Sequence, residues 1–133
     1  MSGRFLPADH SRGDERTIGG YMAVHDRPAA FEGSDGLSYS VAIEAAETDE
    51  PEPSRRWGGF LLFLRWRRVG EQGVEGHLET DFLAWGDSAE AAIAATGALP
   101  LADVRMHLER CLQRGTRGRP WRDARDDAGE EGV

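Results

Sequence analysis

The stretch from Trp57 to Trp85, WGGFLLFLRWRRVGEQGVEGHLETDFLAW, constrains the fold more than any other part of the chain. It contains an unbroken run of large apolar side chains, Phe60 to Leu64, and three of the four tryptophans. The run, a glycine-bearing turn at Val69 to Gly73 and a second extended segment read together as two antiparallel strands joined in a hairpin. Full burial of the run would contribute roughly 7 to 15 kcal/mol before opposing terms, which places that strand inside a sheet and not at its edge.

Turn position suggests a register in which Trp66 lies across from Gly76, Leu64 from Leu78, Leu62 from Thr80 and Phe60 from Phe82. That pairing collects the apolar side chains on one face, expected to be core. The opposite face then divides. Trp57, Gly59, Leu61, Leu83 and Trp85 gather at one end, with Arg65, Arg67, Glu75, His77 and Glu79 at the other. Exposed aromatic patches on small proteins mark partner sites, so Trp57, Leu61, Leu83 and Trp85 are the expected anchors, tuned by Arg65 and Arg67.

His77, Glu79 and Asp81 alternate along the second strand and would share one side of it. An imidazole and two carboxylates could bind a small ligand or a divalent metal, but a metal site ordinarily draws further ligands, and cross-strand pairing with Arg65 and Arg67 is the plainer expectation. Cys111 and His107 stand one helical turn apart, where a thiol on an apolar stripe is expected to be packing. No phosphate-cradling glycine loop, nucleophile elbow or CxxC pair is present, so neither a catalytic residue nor a cofactor is expected.

The rest of the chain supports one compact α+β domain over residues 19–112, between a flexible arm (1–18) and a flexible tail (113–133) that is arginine-rich and then acidic. Tyr21 to His25 reads as a short extended run and Ala29 to Glu32 as a brief strand. Gly33-Ser34-Asp35-Gly36 supplies a tight reversal. Ser38 to Glu47 alternates, with Tyr39, Val41, Ile43 and Ala45 on one face. Thr48 to Arg56, containing two prolines, reads as an exposed loop.

Two helices follow. The first is capped by Asp87 or Ser88 and ends at Gly97; the second runs from Leu101 to Arg114 with Leu101, Val104, Leu108, Cys111 and Leu112 on one stripe. The expected architecture is therefore an antiparallel meander of four to five strands with two C-terminal helices packed on one face.

The formal charge of −8 falls entirely within residues 19–112, which hold 16 acidic and 8 arginine residues. An acidic body is poorly suited to phosphate backbones, so nucleic acid is not the expected partner of the domain. The segment Arg114 to Arg125 interleaves arginines with Trp121, a pattern compatible with RNA, though lysine is absent and arginine serves as the only basic residue everywhere. A single cysteine and an apolar run too short to span a bilayer point to a cytoplasmic protein without disulfide or membrane span.

Gly86 to Ala91, Gly-Asp-Ser-x-Glu-Ala, resembles the strand-to-helix junction of HicB-type antitoxins over about thirty residues, a motif that is largely a helix start. The resemblance would imply toxin binding. The strand signals that precede the junction in that family are not matched here, and the family is not adopted. The sequence thus supports a non-enzymatic interaction module, self-associating as a homodimer or binding another protein through a sheet face. Ligand or metal binding at His77, Glu79 and Asp81 is the competing reading, followed by RNA binding through the tail.

Overall fold

The computed structural model describes residues 8–66 and 74–116. Its sheet has five strands: β1 (Ala30–Glu32), β2 (Ser38–Glu47), β3 (Trp57–Trp66) and β4 (Val74–Glu79) in meander order, and β5 (Ala84–Gly86), which pairs with the first part of β3. All pairings are antiparallel. Three α-helices are described with it: α1 (Ile18–His25), α2 (Ala89–Gly97) and α3 (Leu101–Thr116). The α+β class, the meander and the packing of α2 and α3 against the sheet agree with the sequence reading.

Local chemistry explains most boundaries. The β1–β2 reversal closes with Gly36 at φ 82° and the Gly33 N–H donating to the Leu37 carbonyl at 2.8 Å. Asp35 Oδ1 accepts from the Leu37 N–H at 3.0 Å, fixing the same turn. Ser88 caps α2 by accepting from the Ala91 N–H at 3.0 Å. The loop after β2 is not merely exposed: it forms a 3-10 turn at Pro53–Arg55, and Thr48 donates its hydroxyl to the Arg55 carbonyl at 2.6 Å.

The segment expected to be extended, Tyr21 to His25, is instead the second half of α1. Thr17 caps that helix by accepting from the Gly20 N–H at 3.0 Å, and Asp26 ends it in the left-handed region at φ 53°. Two adjacent glycines are poor helix formers, but here they serve packing. A Cβ on Gly19 would come 3.0 Å from the Gly97 carbonyl oxygen, so α1 and α2 meet through backbone. Ile18 is fully buried, with Tyr21 and Met22 packed against the same core, a helical spacing that alternation alone missed.

Part of the expected N-terminal arm is also tied down where it is described. Asp9 donates its N–H to the Val24 carbonyl at 2.9 Å. Ile18 donates to the Leu99 carbonyl, and Leu101 to that of Arg16. The tail beyond 116, the hairpin turn and Arg67 lie outside the described residues.

The hairpin register differs from the expected one by a single residue, which exchanges the faces of β3. Gly76 pairs with Arg65, His77 with Leu64, Leu78 with Phe63 and Glu79 with Leu62. Odd-numbered residues of β3 therefore face the helices. Leu61 and Phe63 are fully buried there with Tyr39, Val41, Val104 and Leu108. The physical reason is that Phe60 to Leu64 is apolar at both parities, so hydrophobic pattern alone could not choose between them. Space chooses: a Cβ on Gly59 would collide with Thr96 Oγ1 and the Ala92 carbonyl, and one on Gly86 would lie 2.6 Å from the Ala92 nitrogen. Helix α2 lies directly on those two glycines.

At the far end of the same face, Tyr39 is fully buried, donates its hydroxyl to Asp35 Oδ2 at 2.6 Å and accepts from Arg65 Nε at 2.9 Å. Burial, reinforced by the Asp35 carboxylate, pushes the phenol well above the ordinary tyrosine range, with Arg65 opposing.

Two outcomes are expected. Gly59→Ala should lose about 3 kcal/mol or more in urea unfolding because backbone must move, whereas Gly76→Ala, whose Cβ meets nothing within 4 Å, should be neutral or gain up to about 1 kcal/mol. The raised Tyr39 pKa makes its contribution complete below the ordinary value of 10.0 and lost as pH rises beyond it. Denaturant titrations from about pH 9 to 11 should show that alkaline decline in the native chain and a shallower one in Tyr39→Phe.

Candidate functional site: an uncovered sheet face

With α1, α2 and α3 on one side, the even-numbered residues of β3 line the other. Phe60, Leu62 and Leu64 are half-buried and Trp66 is 41% exposed. Register places Ser40, Ala42, Glu44 and Ala46 of β2 on the same side as these residues, with Ser38 and Glu32 beyond. On the β4 side lie His77 and Glu79, whose imidazole Nε2 and carboxylate stand 3.7 Å apart. Trp66 is oriented by its indole N–H, which donates to Ser40 Oγ at 2.9 Å. The result is an apolar stripe along a central strand, bordered by serines and carboxylates.

The stripe ends in a depression created by irregular chain geometry. Between the pairs Leu62–Glu79 and Gly59–Ala84, four residues (80–83) stand opposite two (60 and 61). Thr80 holds this bulge in three ways. Its N–H donates to the Leu61 carbonyl at 3.0 Å, its hydroxyl accepts from the Leu61 N–H at 3.1 Å, and the same hydroxyl donates to the Asp81 carbonyl at 2.7 Å. Alternation is lost across the bulge, so Phe82 emerges on the open face while Leu83 packs against the core. Phe82 lies over Gly58, where a Cβ would fall 2.5 Å from the ring, and its centroid is 6.1 Å from that of Phe60. Ala46, Phe60, Glu79, Thr80, Asp81 and Phe82 line a shallow depression of about 380 Å³, with no basic side chain among these described residues.

The expected anchors are distributed differently from the sequence reading. Leu61 is fully buried and Leu83 packs on the core. Trp57 falls on the helix side by parity, opposite Gly86, and Arg65 belongs to the Tyr39–Asp35 network. Trp85 shares the open face through its pairing with Gly58, but Arg55 of the preceding loop stacks on its ring at 3.9 Å. Phe60, Leu62, Leu64, Trp66 and Phe82 were missed as surface residues. The available signal was steric: glycine at 59 and again at 86 marks the face that a helix approaches.

His77 and Glu79 do come together, while Asp81 sits in the bulge beyond the strand end. Among the described residues, no group of three or more histidine, cysteine, aspartate or glutamate side chains is arranged to hold a metal ion. Cys111 is buried and donates to the Glu79 carbonyl at 3.6 Å. Burial and then Arg110 hold the His107 imidazole below its ordinary range. No described helix is long and apolar enough to cross a membrane. Compared with known proteins, the chain matches no family model, no curated protein and no solved structure.

Because the Thr80 hydroxyl substitutes for a strand carbonyl in satisfying Leu61, Thr80→Val should cost about 1 to 3 kcal/mol in urea unfolding. Thr80→Ser should retain most of that stability.

Proposed function

We propose that this chain is a non-enzymatic interaction module that binds a protein segment on its open sheet face. The observation that carries the reading is the stripe of Phe60, Leu62, Leu64 and Trp66, extended by Phe82, on the side of the sheet away from α1, α2 and α3. Leaving such side chains in water sacrifices burial energy that a partner would recover, on the order of 1.5 to 3 kcal/mol for each large side chain fully covered. A half-buried stripe recovers less per residue.

Charge describes the partner. Glu44 adjoins Phe60, and Glu79 and Asp81 stand in the depression wall, so the apolar surface is bordered by carboxylates. A second copy docking face to face would set these carboxylates against their own kind, which is unfavourable in the lowered dielectric of an interface. A segment with apolar or aromatic anchors flanked by basic residues meets both requirements. The preferred partner is therefore a different, basic sequence and not the same face of a second copy.

The test places the photo-crosslinking residue p-benzoylphenylalanine at Trp66 or Phe82 on the open face, or at Met106, an equally exposed position on α3, and expresses the variants in the native host. Positions 66 and 82 should each give the same discrete intermolecular protein adduct, weakened by the double change Glu79→Gln and Asp81→Asn, and position 106 should not. The same adduct from all three positions, or none from 66 and 82, would overturn the proposal.

A further inference from the structure

We infer that the open face is regulated from within the chain: residues 117–125, Arg-Gly-Arg-Pro-Trp-Arg-Asp-Ala-Arg, dock in the Phe60–Phe82 depression of the same molecule and compete with the partner. The inference rests on the reading of that face as a binding surface, and adds what occupies it when no partner is present.

Position is the first argument. The last turns of α3 abut the end of β4: Arg114 Nη2 donates to the Glu79 carbonyl at 3.2 Å and Cys111 Sγ to the same oxygen at 3.6 Å. Glu79 also lines the depression on the opposite side of the sheet. One residue thus joins the site where the helix stops to the site where the segment would bind. Strand β4 ends the hydrogen-bonded order β1-β2-β3-β4, so a chain leaving α3 at Thr116 has a single strand to pass around. Five residues, 117–121, span up to roughly 16 to 18 Å when extended, comparable with a layer separation of about 10 Å plus one strand spacing of about 4.8 Å.

Chemistry is the second argument. The depression presents two phenylalanine rings and Ala46 between the carboxylates of Glu79 and Asp81, with no basic side chain among its described lining residues. The segment presents one indole between Arg119 and Arg122, with Arg117 and Arg125 outside them. An indole against tilted phenyl rings and guanidinium groups against carboxylates complement each other in kind and in sign. Pro120 immediately before Trp121 restricts the free segment and lowers the entropy lost on docking. The final eight residues contain four acids and no base, so the rim would repel them and only 117–125 fits. Tethering helps decisively: a short linker gives an effective concentration on the order of millimolar, enough to occupy a site too weak to matter between separate molecules.

The test uses the purified full-length protein alone, with p-benzoylphenylalanine at Phe82. Illumination should yield an intramolecular crosslink to residues 117–125 by mass spectrometry, with a yield unchanged over about a tenfold dilution. Trp121→Ala, which lies outside the folded domain's described core, should cut that yield about fivefold or more, as should about 0.5 M NaCl, while circular dichroism and melting temperature stay the same. Absence of a crosslink to 117–125, or an unchanged yield in Trp121→Ala, would overturn the inference. A crosslink found only in a dimer and falling with dilution would assign the tail to a second copy and overturn the intramolecular form. The host experiment fails separately: a partner adduct without this crosslink leaves the binding reading standing and removes only the regulation, and the converse result does the opposite.

Discussion

The contact on which the rest of the structure depends is that of α2 with the backbone of β3 and β5. At Gly59 and Gly86 there is no side chain, and Ala92 and Thr96 of the helix occupy the space a Cβ would need. Thr96 is fully buried and returns its hydroxyl to the Ala92 carbonyl at 2.8 Å, so the close approach leaves no polar atom of that side chain unsatisfied. Once the helix is seated there, odd-numbered residues of β3 are core. Leu61 and Phe63 go inward, Phe60, Leu62, Leu64 and Trp66 go outward, and α1 completes the layer by packing its own glycine against Gly97.

The open face is thus a consequence of where the helices can approach, and the bulge at 80–83 gives it shape. A regular strand would have carried Phe82 and Leu83 to opposite sides in the phase set by Leu78. Two additional residues leave the phase of β4 intact in β5, where Ala84 and Gly86 face the helices as Leu78 does, but they break the alternation between the two strands, and Thr80 holds the excess chain by supplying a hydroxyl where the ladder lacks a carbonyl. Phe82 then folds over Gly58 toward Phe60, leaving a recess bounded by carboxylates. Apolar floor and acidic rim together are what recommend a basic, aromatic-bearing occupant, whether it comes from another protein or from the segment following α3.

Much of this was legible in the residues. Alternation in Ser38–Glu47 gave the correct inward face of β2, Asp87 or Ser88 and Gly97 marked the limits of α2, with Ser88 the actual cap, and the spacing of Val104, Leu108, Cys111 and Leu112 gave the buried stripe of α3. Even in β4 the parity was readable, with Leu78 inward and His77 and Glu79 outward. The errors fall where local pattern is ambiguous. Tyr21 to His25 is too short to distinguish a strand from a helix, and its cap lies upstream at Thr17. The run FLLFL is equally apolar at either parity, so anchors assigned to the exposed face, Trp57, Leu61 and Leu83, belong with the helix side, and only Trp85 stays on the open face, under Arg55.

The sequence by itself determined most of the elements and their order, an acidic domain and more large apolar side chains on the central strand than one face can use, because those properties follow from local pattern and composition. Which of those side chains reach solvent was decided only in three dimensions. That choice depends on a helix meeting glycines at positions 59 and 86, and on a two-residue excess opposite 60 and 61, both of them relations between segments distant in the chain. A one-residue change of register costs little in local propensity yet exchanges the faces of a strand, and so long-range steric fit selects the surface that a partner would meet.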